Sequence, residues 1–433
     1  MRFAYILIAY LFAPIVCGVM LWRGFRDRSY WQNFHERFGY GDTPFKEPSI
    51  WIHAVSVGEV QAAVALVRAL RAKYPQIPVV LTTVTPTGAA RARAQFGADI
   101  HVRYVPYDLP GSVRRFFARI KPRVAIILET ELWPNLYHAC GQRGTPLVLA
   151  SARISPRSVG KYRRLAGLFQ ETLSHGIVIA AQSEGDAQRF RSIGANPART
   201  HVTGNIKFDF TLPDDILARG ALLRSEHAHG KSVWIAGSTH AGEEEAALAA
   251  LAALDAAGVP SLLVIAPRHP NRFDDVEQLL RRRGIKFVRR SSGESCLAQT
   301  AVLLLDTLGE LIFFYAAADA AFVGGTLVPV GGHNLLEPAA LGVPVLIGPH
   351  YFNAEDIAEQ FLSIGAAALV RDGAALGAEL QVLLSDPGLR AQRAELARQT
   401  LDRNRGALQR LLALIEPVIE GAPGGQVSAA TSR

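Results

Sequence analysis

The chain has 433 residues, too many for one ordinary core and suited to two domains. With 49% hydrophobic and 19% charged residues it buries a large core, which excludes a mainly disordered chain; only the tail from Gly421, GAPGGQVSAATSR, reads as a flexible end. The net charge of +8 favours acidic partners such as phosphates or an anionic membrane face, yet the aromatic residues are not interleaved with basic ones, so nucleic acid is not an expected partner, and the widely spaced Cys17, Cys140 and Cys296 predict neither a disulfide framework nor a metal site.

The first predicted element is a helix over Phe3 to Trp22, FAYILIAYLFAPIVCGVMLW, without one charged residue. Twenty residues at about 1.5 Å each span roughly the 30 Å hydrocarbon core of a bilayer. Pro14 is tolerated there, and Trp22, Tyr30 and Trp31 suit the interfacial belt. Arg23, Arg26 and Arg28 follow, which places the rest of the chain on the cytoplasmic side. A cleaved signal peptide has a shorter apolar core ending in a small-x-small site, so a retained anchor is expected. A helix that lies on the membrane without crossing it stays open.

From Ser49 onward, apolar β-rich runs alternate with helical patterns. SIWIHAVS, IPVVLTTVT, IHVRYVPY, VAIILET, PLVLASA, GIVIAAQS and THVTGN are strand candidates, with VQAAVALVRALRAKY and EGDAQRFRSIG among the helices between them. NIKFDFTLPDDI interrupts the pattern, which then restarts with SVWIAGST, SLLVIAPRH, IKFVRRS, AVLLLDT, AAFVGGT, PVLIGP and AAALVRD. Continuous apolar strands separated by helices predict parallel sheets covered on both faces. The fold class is therefore α/β, with two doubly wound Rossmann-like domains facing an interdomain cleft. The expected divisions are an anchor and juxtamembrane segment over 1–30, an N-terminal domain over 31–215, a C-terminal domain over 216–420 whose last helix crosses back, and a tail over 421–433.

Ligands of such sheets bind beyond the carboxyl ends of the strands. Glu59, Thr85 to Thr87, Glu129, Glu131, Arg153, His240, Arg268, His269, Asp306, Gly324 and Gly325 fall there. Glu59, in HAVSVGEV, has two readings: a first-turn acid favoured by the helix N-terminus, or a catalytic base on a strand-to-helix loop. ETELWPN sets Glu129 and Glu131 in an unusual acidic loop. SARISPRSVGKYRR carries Arg153, Arg157, Lys161, Arg163 and Arg164, a solvated basic face or one that meets phosphorylated lipid.

In GGTLVPVGGHNLLEPAALGVPVLIGP the paired glycines permit close backbone approach, and the N–H groups around His333 and Asn334 suit a phosphate. Glu337 either completes a capping box with Asn334 or binds ribose hydroxyls. Arg268 and His269 in APRHP offer donors to an anion, and Gly309–Glu310 in DTLGEL opens a possible nucleotide-facing turn. The chain lacks a Walker loop, G-x-S-x-G, H-E-x-x-H, C-x-x-C and an Asp-x-Asp pair. No metal is expected, because Arg and backbone donors can stabilise one leaving phosphate.

HAVSVGEV, TTVTPTG, PYDLP, ETELWPN, SARIS, TGNIKFD, GSTHAGEEE, APRHPNRF, DTLGEL and GGHNLLEPAALGVPVLIGPHYFN, in this order, resemble the bacterial Kdo (3-deoxy-D-manno-octulosonic acid) transferases. The resemblance implies a GT-B fold, an inner-membrane location, and inverting transfer of Kdo from CMP-Kdo to the lipid A precursor lipid IVA, in lipopolysaccharide biosynthesis. It implies Glu59 as general base, with Glu129 and Lys207 assisting the transition state. It implies CMP contacts from Arg268, His269, Gly309, Glu310, Leu311, Asn334, Leu335, Leu336 and Glu337. HAVSVGE stands where HAASVGE is more frequent, and Ala241 where Glu is common, which leaves acceptor-side contacts open. The alternatives are another GT-B nucleotide-sugar transferase or epimerase, and a non-catalytic membrane-bound nucleotide or lipid sensor.

Overall fold

The computed structural model describes residues 2–41, 44–155, 158–160, 162, 166–173 and 176–421. Arg157, Lys161, Arg163 and Arg164 lie outside the described residues, as does the tail after Gly421. The chain forms two units, Met1–Phe210 with Asn404–Arg433, and Thr211–Arg403.

Among the described residues, the first unit carries seven parallel strands: β1 (Ser49–His53), β2 (Val79–Thr83), β3 (His101–Tyr104), β4 (Pro122–Leu128), β5 (Leu147–Ala152), β6 (Val178–Ala181) and β7 (Thr200–Val202). Their spatial order is β3-β2-β1-β4-β5-β6-β7. β1 is central, with Trp51 in register with Val80 on one side and Ala125 on the other. Every residue of β1 is buried, so the strand reads as an unbroken apolar run rather than an alternation.

Alternate β1 residues feed two cores. Ile50 and Ile52 pack with Ala63, Leu66 and Leu70 of α2 (Val57–Lys73) and with Leu411, Ile415 and Ile419 of the helix Ala407–Glu420. Trp51 packs with Phe116, Phe117, Leu136 and Tyr137 on the opposite face. Each such side chain contributes roughly 1.5–3 kcal/mol by leaving water. The closing segment is two helices rather than one, because Gly406 at φ 81° breaks it. The Asp209 carboxylate then accepts the Gly406 and Leu408 N–H groups at 2.7 and 2.5 Å, fastening the last helix to this unit.

The N-terminal helix α1 (Arg2–Arg26) has a mean hydropathy of 2.3 over its most apolar window, with none of that window buried. By length and composition it is able to cross a membrane.

The second unit repeats the architecture with β8 (Ser232–Thr239), β9 (Ser261–Pro267), β10 (Phe287–Arg289), β11 (Val302–Leu304), β12 (Ala320–Val323), β13 (Val345–Ile347) and β14 (Ala367–Leu369). Their order is β10-β11-β9-β8-β12-β13-β14, again all parallel among the described residues. Trp234, Leu263, Phe322 and Leu346 centre its core. Helices Glu243–Ala256 and Gly373–Ser385 approach closely on small residues. A Cβ on Gly373 would stand 2.7 Å from the Ala246 carbonyl oxygen, so any side chain there would push the helices apart.

Candidate active site

In each sheet the strand order reverses once, and the crevice at that point is where a doubly wound fold receives a ligand. In the first unit it opens between β1 and β4. Glu59 follows β1 and Glu129 follows β4, so the fold brings two acids distant in sequence to one edge.

Ser56 is the N-cap of α2, and its hydroxyl accepts the Glu59 N–H. The Glu59 carboxyl turns back, accepting the Val55 N–H at 2.8 Å and the Ser56 hydroxyl at 3.0 Å. Both readings of Glu59 are therefore compatible: it caps the helix and remains at the sheet edge. It is only 8% exposed. Burial pushes its pKa up to about 7, and the nearby Glu129 charge pushes the same way, against the lowering by the Val55 and Ser56 hydrogen bonds.

Glu129 sits in the left-handed region at φ 58°, an uncommon conformation for a residue with a side chain. Its carboxylate pairs with Lys207 at 2.7 Å. Lys207 is positioned in turn by Asn205, whose side chain accepts the Lys207 N–H at 3.0 Å and donates to Gln182 at 3.1 Å. Glu131 accepts the Trp133 indole N–H at 2.7 Å, and burial raises its pKa. His53, at the end of β1, is wholly buried and bonds Thr82 through Nδ1; its Nε2 has no hydrogen-bond partner among the described residues. Burial lowers its pKa to about 4, so it is neutral.

The second unit's reversal lies between β8 and β12. The glycine-rich run begins directly after β12, and Glu243 occupies the N–H groups of its first turn, not those around His333 and Asn334 that the sequence assigned to a phosphate. Its carboxylate accepts N–H groups from Gly325, Thr326 and Leu327 at 2.7, 3.0 and 2.9 Å, and from His240 at 2.9 Å. An internal anion thus fills the nest. Glu243 hid in the run AGEEE, where three acids at a helix start look interchangeable; only the fold shows that Glu243 and Glu244 are wholly buried.

Other donors are side chains. His240 and His333 share a 2.8 Å contact between their Nε2 atoms, their rings nearly parallel at 7°. His269 meets His240 edge to face at 5.4 Å. Burial lowers the pKa of all three, with Arg268 contributing in the same sense, and His333 falls to about 3. The three imidazoles, His333 neutral among them, and the exposed Arg268 form a cluster of side-chain donors, with the Arg272 guanidinium also acting on His240 and His269.

Asn334 accepts the Leu336 N–H at 3.0 Å and donates its amide to the Glu337 carboxylate at 3.0 Å. This is an Asx-type start to the short helix Leu336–Ala340, with Leu335 at its N-cap, and not the capping box set out from the sequence. Gly309 takes φ 83° in the turn before the five-residue helix Leu311–Tyr315. The Glu310 carboxylate there accepts Thr307 and is paired with Arg290 at 3.1 Å, and these contacts outweigh burial to hold its pKa below the usual range. Among the described residues no group of three or more His, Cys, Asp or Glu side chains is arranged to hold a metal.

Two parallel α/β sheets, each with its polar groups gathered where the strand order reverses, define a glycosyltransferase-type GT-B architecture. The solved structure of Acinetobacter baumannii MurG shares the fold, with a TM-score of 0.55 at 16% identity, over 86% of this chain and 99% of that one. Residues 32–210 match the family described as 3-deoxy-D-manno-octulosonic-acid transferase (kdotransferase). The 3-deoxy-D-manno-octulosonic acid transferase of Haemophilus influenzae is 39% identical over 97% of this chain and 99% of its own length. That of Bordetella pertussis is 40% identical over 93% and 96%. The chain belongs to the 3-deoxy-D-manno-octulosonic acid transferase family and is a glycosyltransferase.

Proposed function

We propose that this enzyme transfers Kdo from CMP-Kdo to the phosphorylated lipid A precursor lipid IVA, with inversion, at the cytoplasmic face of the inner membrane. The observation that carries the reading is Glu59, a buried carboxyl with a pKa of about 7 at the switch point of the first sheet. A general base works best when its pKa lies near the working pH. The acceptor hydroxyl oxygen attacks the anomeric carbon of Kdo, and its proton passes to Glu59. The bond from that carbon to the CMP phosphate breaks, and its electron pair leaves on the phosphate.

Lys207, held by Glu129, carries a positive charge suited to the Kdo carboxylate or the departing phosphate. The second unit supplies the nucleotide contacts. Arg268, His269 and the His240–His333 pair face the phosphate, while Gly309, Glu310, Leu311, Asn334, Leu335, Leu336 and Glu337 hold the cytidine portion. No metal takes part in this scheme, because Arg268 and the imidazole donors stabilise a single phosphate. The apolar helix α1, followed by Arg23, Arg26 and Arg28, supports the membrane placement.

The test is turnover of CMP-Kdo with lipid IVA by the purified enzyme, parent and Glu59→Gln. Transfer by the parent that falls about 10²-fold or more in the variant is expected. Near-normal turnover by the variant overturns the base assignment, and dependence on a UDP-sugar overturns the donor.

A further inference from the structure

Length and composition present α1 as a spanning helix, but its contacts run along one flank. The less exposed positions are Arg2, Tyr5, Ile6, Ala9, Ala13, Cys17, Met20 and Gly24, spaced three or four apart. That spacing is one face of a helix. The Tyr5 hydroxyl donates to Asp108 at 2.8 Å, and Arg2 bonds His138. Cys17 lies beside Tyr107 in the middle of the helix. At the far end the Trp31 indole covers Gly24 and donates to the Leu21 carbonyl at 3.0 Å.

The segment after Trp31 is riveted to the same unit. Glu36 accepts the Tyr104 N–H at 2.8 Å, Arg37 donates to the Val84 carbonyl at 2.8 Å, and Arg115 donates to the Phe38 carbonyl at 2.8 Å. Asp108, the acid of PYDLP, is a built socket rather than a chance contact. It is buried, and its carboxylate also accepts the Asn135 and Leu136 N–H groups at 3.0 and 2.8 Å.

A helix of 25 residues is about 37 Å long. Both of its ends are fastened to one globular unit. A perpendicular crossing would carry Asp108, His138 and their polar surroundings into hydrocarbon, at a cost of several kcal/mol for each unsatisfied group. The opposite flank is apolar throughout: Phe3, Leu7, Leu11, Ile15 and Trp22 are 82, 64, 70, 60 and 55% exposed. Arg26 stacks over Trp22 at 4.6 Å and Arg23 over Tyr30 at 5.9 Å, so aromatic rings and guanidinium groups share one end. That pairing matches an anionic headgroup layer above acyl chains.

We infer that α1 lies in the plane of the membrane, docked through Tyr5 and Asp108 on the first unit, with its outer flank sunk into one leaflet of an anionic bilayer. The inference rests on the membrane placement proposed above and specifies its geometry. It also has a consequence for acceptor delivery. Asp108 caps the helix Pro134–Gln142, which follows the Glu129–Glu131 loop directly, so the lipid surface and the proposed catalytic edge are joined by one short rigid segment.

The test uses the full chain with nitroxide labels at Leu7→Cys, Leu11→Cys, Ile15→Cys and Val19→Cys, in a background with Cys17→Ala, bound to vesicles of phosphatidylethanolamine and phosphatidylglycerol. Equal shallow depths at all four positions are expected from collision with oxygen and a polar paramagnetic reagent. A Phe3→Cys label should lose its signal to ascorbate added outside the vesicles. Depth peaking at Leu11 and Ile15, with Phe3 protected from ascorbate, overturns the in-plane inference alone. Failure to bind the vesicles overturns both it and the membrane placement.

Discussion

The Lys207 ammonium lies 2.7 Å from the Glu129 carboxylate, across 78 residues of sequence. Glu129 reaches it from a left-handed backbone position at the end of β4, and Lys207 from a short turn that follows β7. In the proposed scheme a substrate carboxylate competes with Glu129 for this charge. The pair leaves part of the Glu129 field acting on Glu59.

The first prediction concerns Glu59 itself. Glu59→Gln keeps the shape of the protonated acid, so transfer should fall about 10²-fold or more while CMP affinity stays within about twofold. Stability should move the other way. The native carboxyl binds its proton up to about pH 7, whereas the unfolded one releases it near 4.5. Between those values the folded state holds the extra proton, so its stability falls as pH rises through that window. At pH 8 the neutral variant should match or exceed the parent, by up to about 2 kcal/mol. Denaturant unfolding at pH 5 and pH 8 would show this; a variant less stable by the same amount at both would refute it.

The pH dependence of turnover follows from the same group. Base catalysis requires the carboxylate, so kcat/KM should rise with pH and level off above about 7. Glu129→Gln removes a like charge and frees the Lys207 ammonium, and both changes favour ionised Glu59. The acidic limb should shift downward by on the order of half a unit. An upward shift in the measured profile would contradict the charge arrangement.

Protons should also move when CMP binds. Burial and Arg268 disfavour the charged forms of His240, His269 and His333 in the free protein, and His333, at about 3, is neutral. A bound phosphate supplies the opposite charge and raises their affinity for protons. Calorimetry at pH 6 in two buffers of different ionisation enthalpy should therefore reveal proton uptake, reduced in His333→Gln. Buffer-independent heats would remove these imidazoles from the phosphate site.

Glu337→Ala distinguishes ligand contact from helix start. Loss of one contact to the ribose should weaken CMP binding about 10-fold, equal to about 1.4 kcal/mol. Unchanged affinity, measured by the same calorimetry, would assign Glu337 to the helix start, where it accepts the Asn334 amide.

Glu243→Gln tests the internal anion. One of its oxygens becomes an amide facing backbone N–H donors, so the second unit should lose about 2–4 kcal/mol. CMP binding should weaken with it, since Gly325 and His240 lose their anchor. Parent-like unfolding would mean that the loop is held by other contacts.

The sequence by itself determined the two sheets. Each of the fourteen apolar runs became a strand, because residues buried on both faces, such as those of β1 and β12, leave an unambiguous pattern. It also marked Glu59, Glu129, Arg268 and the glycine-rich run, since acids, bases and glycines at strand ends stand out against that pattern, whereas Lys207 was reached only through the family resemblance. Pairings between distant residues were decided only by tertiary structure. Nothing local links Lys207 to Glu129, or His240 to His333; strand order brings them together. Glu243 is invisible among three adjacent acids until the fold buries it against the Gly325 loop. The orientation of α1 is of the same kind. Its apolarity is a property of the chain, but its packing on the first unit depends on contacts such as the Tyr5 hydroxyl reaching Asp108, whose socket exists only once the helix Pro134–Gln142 has folded onto it.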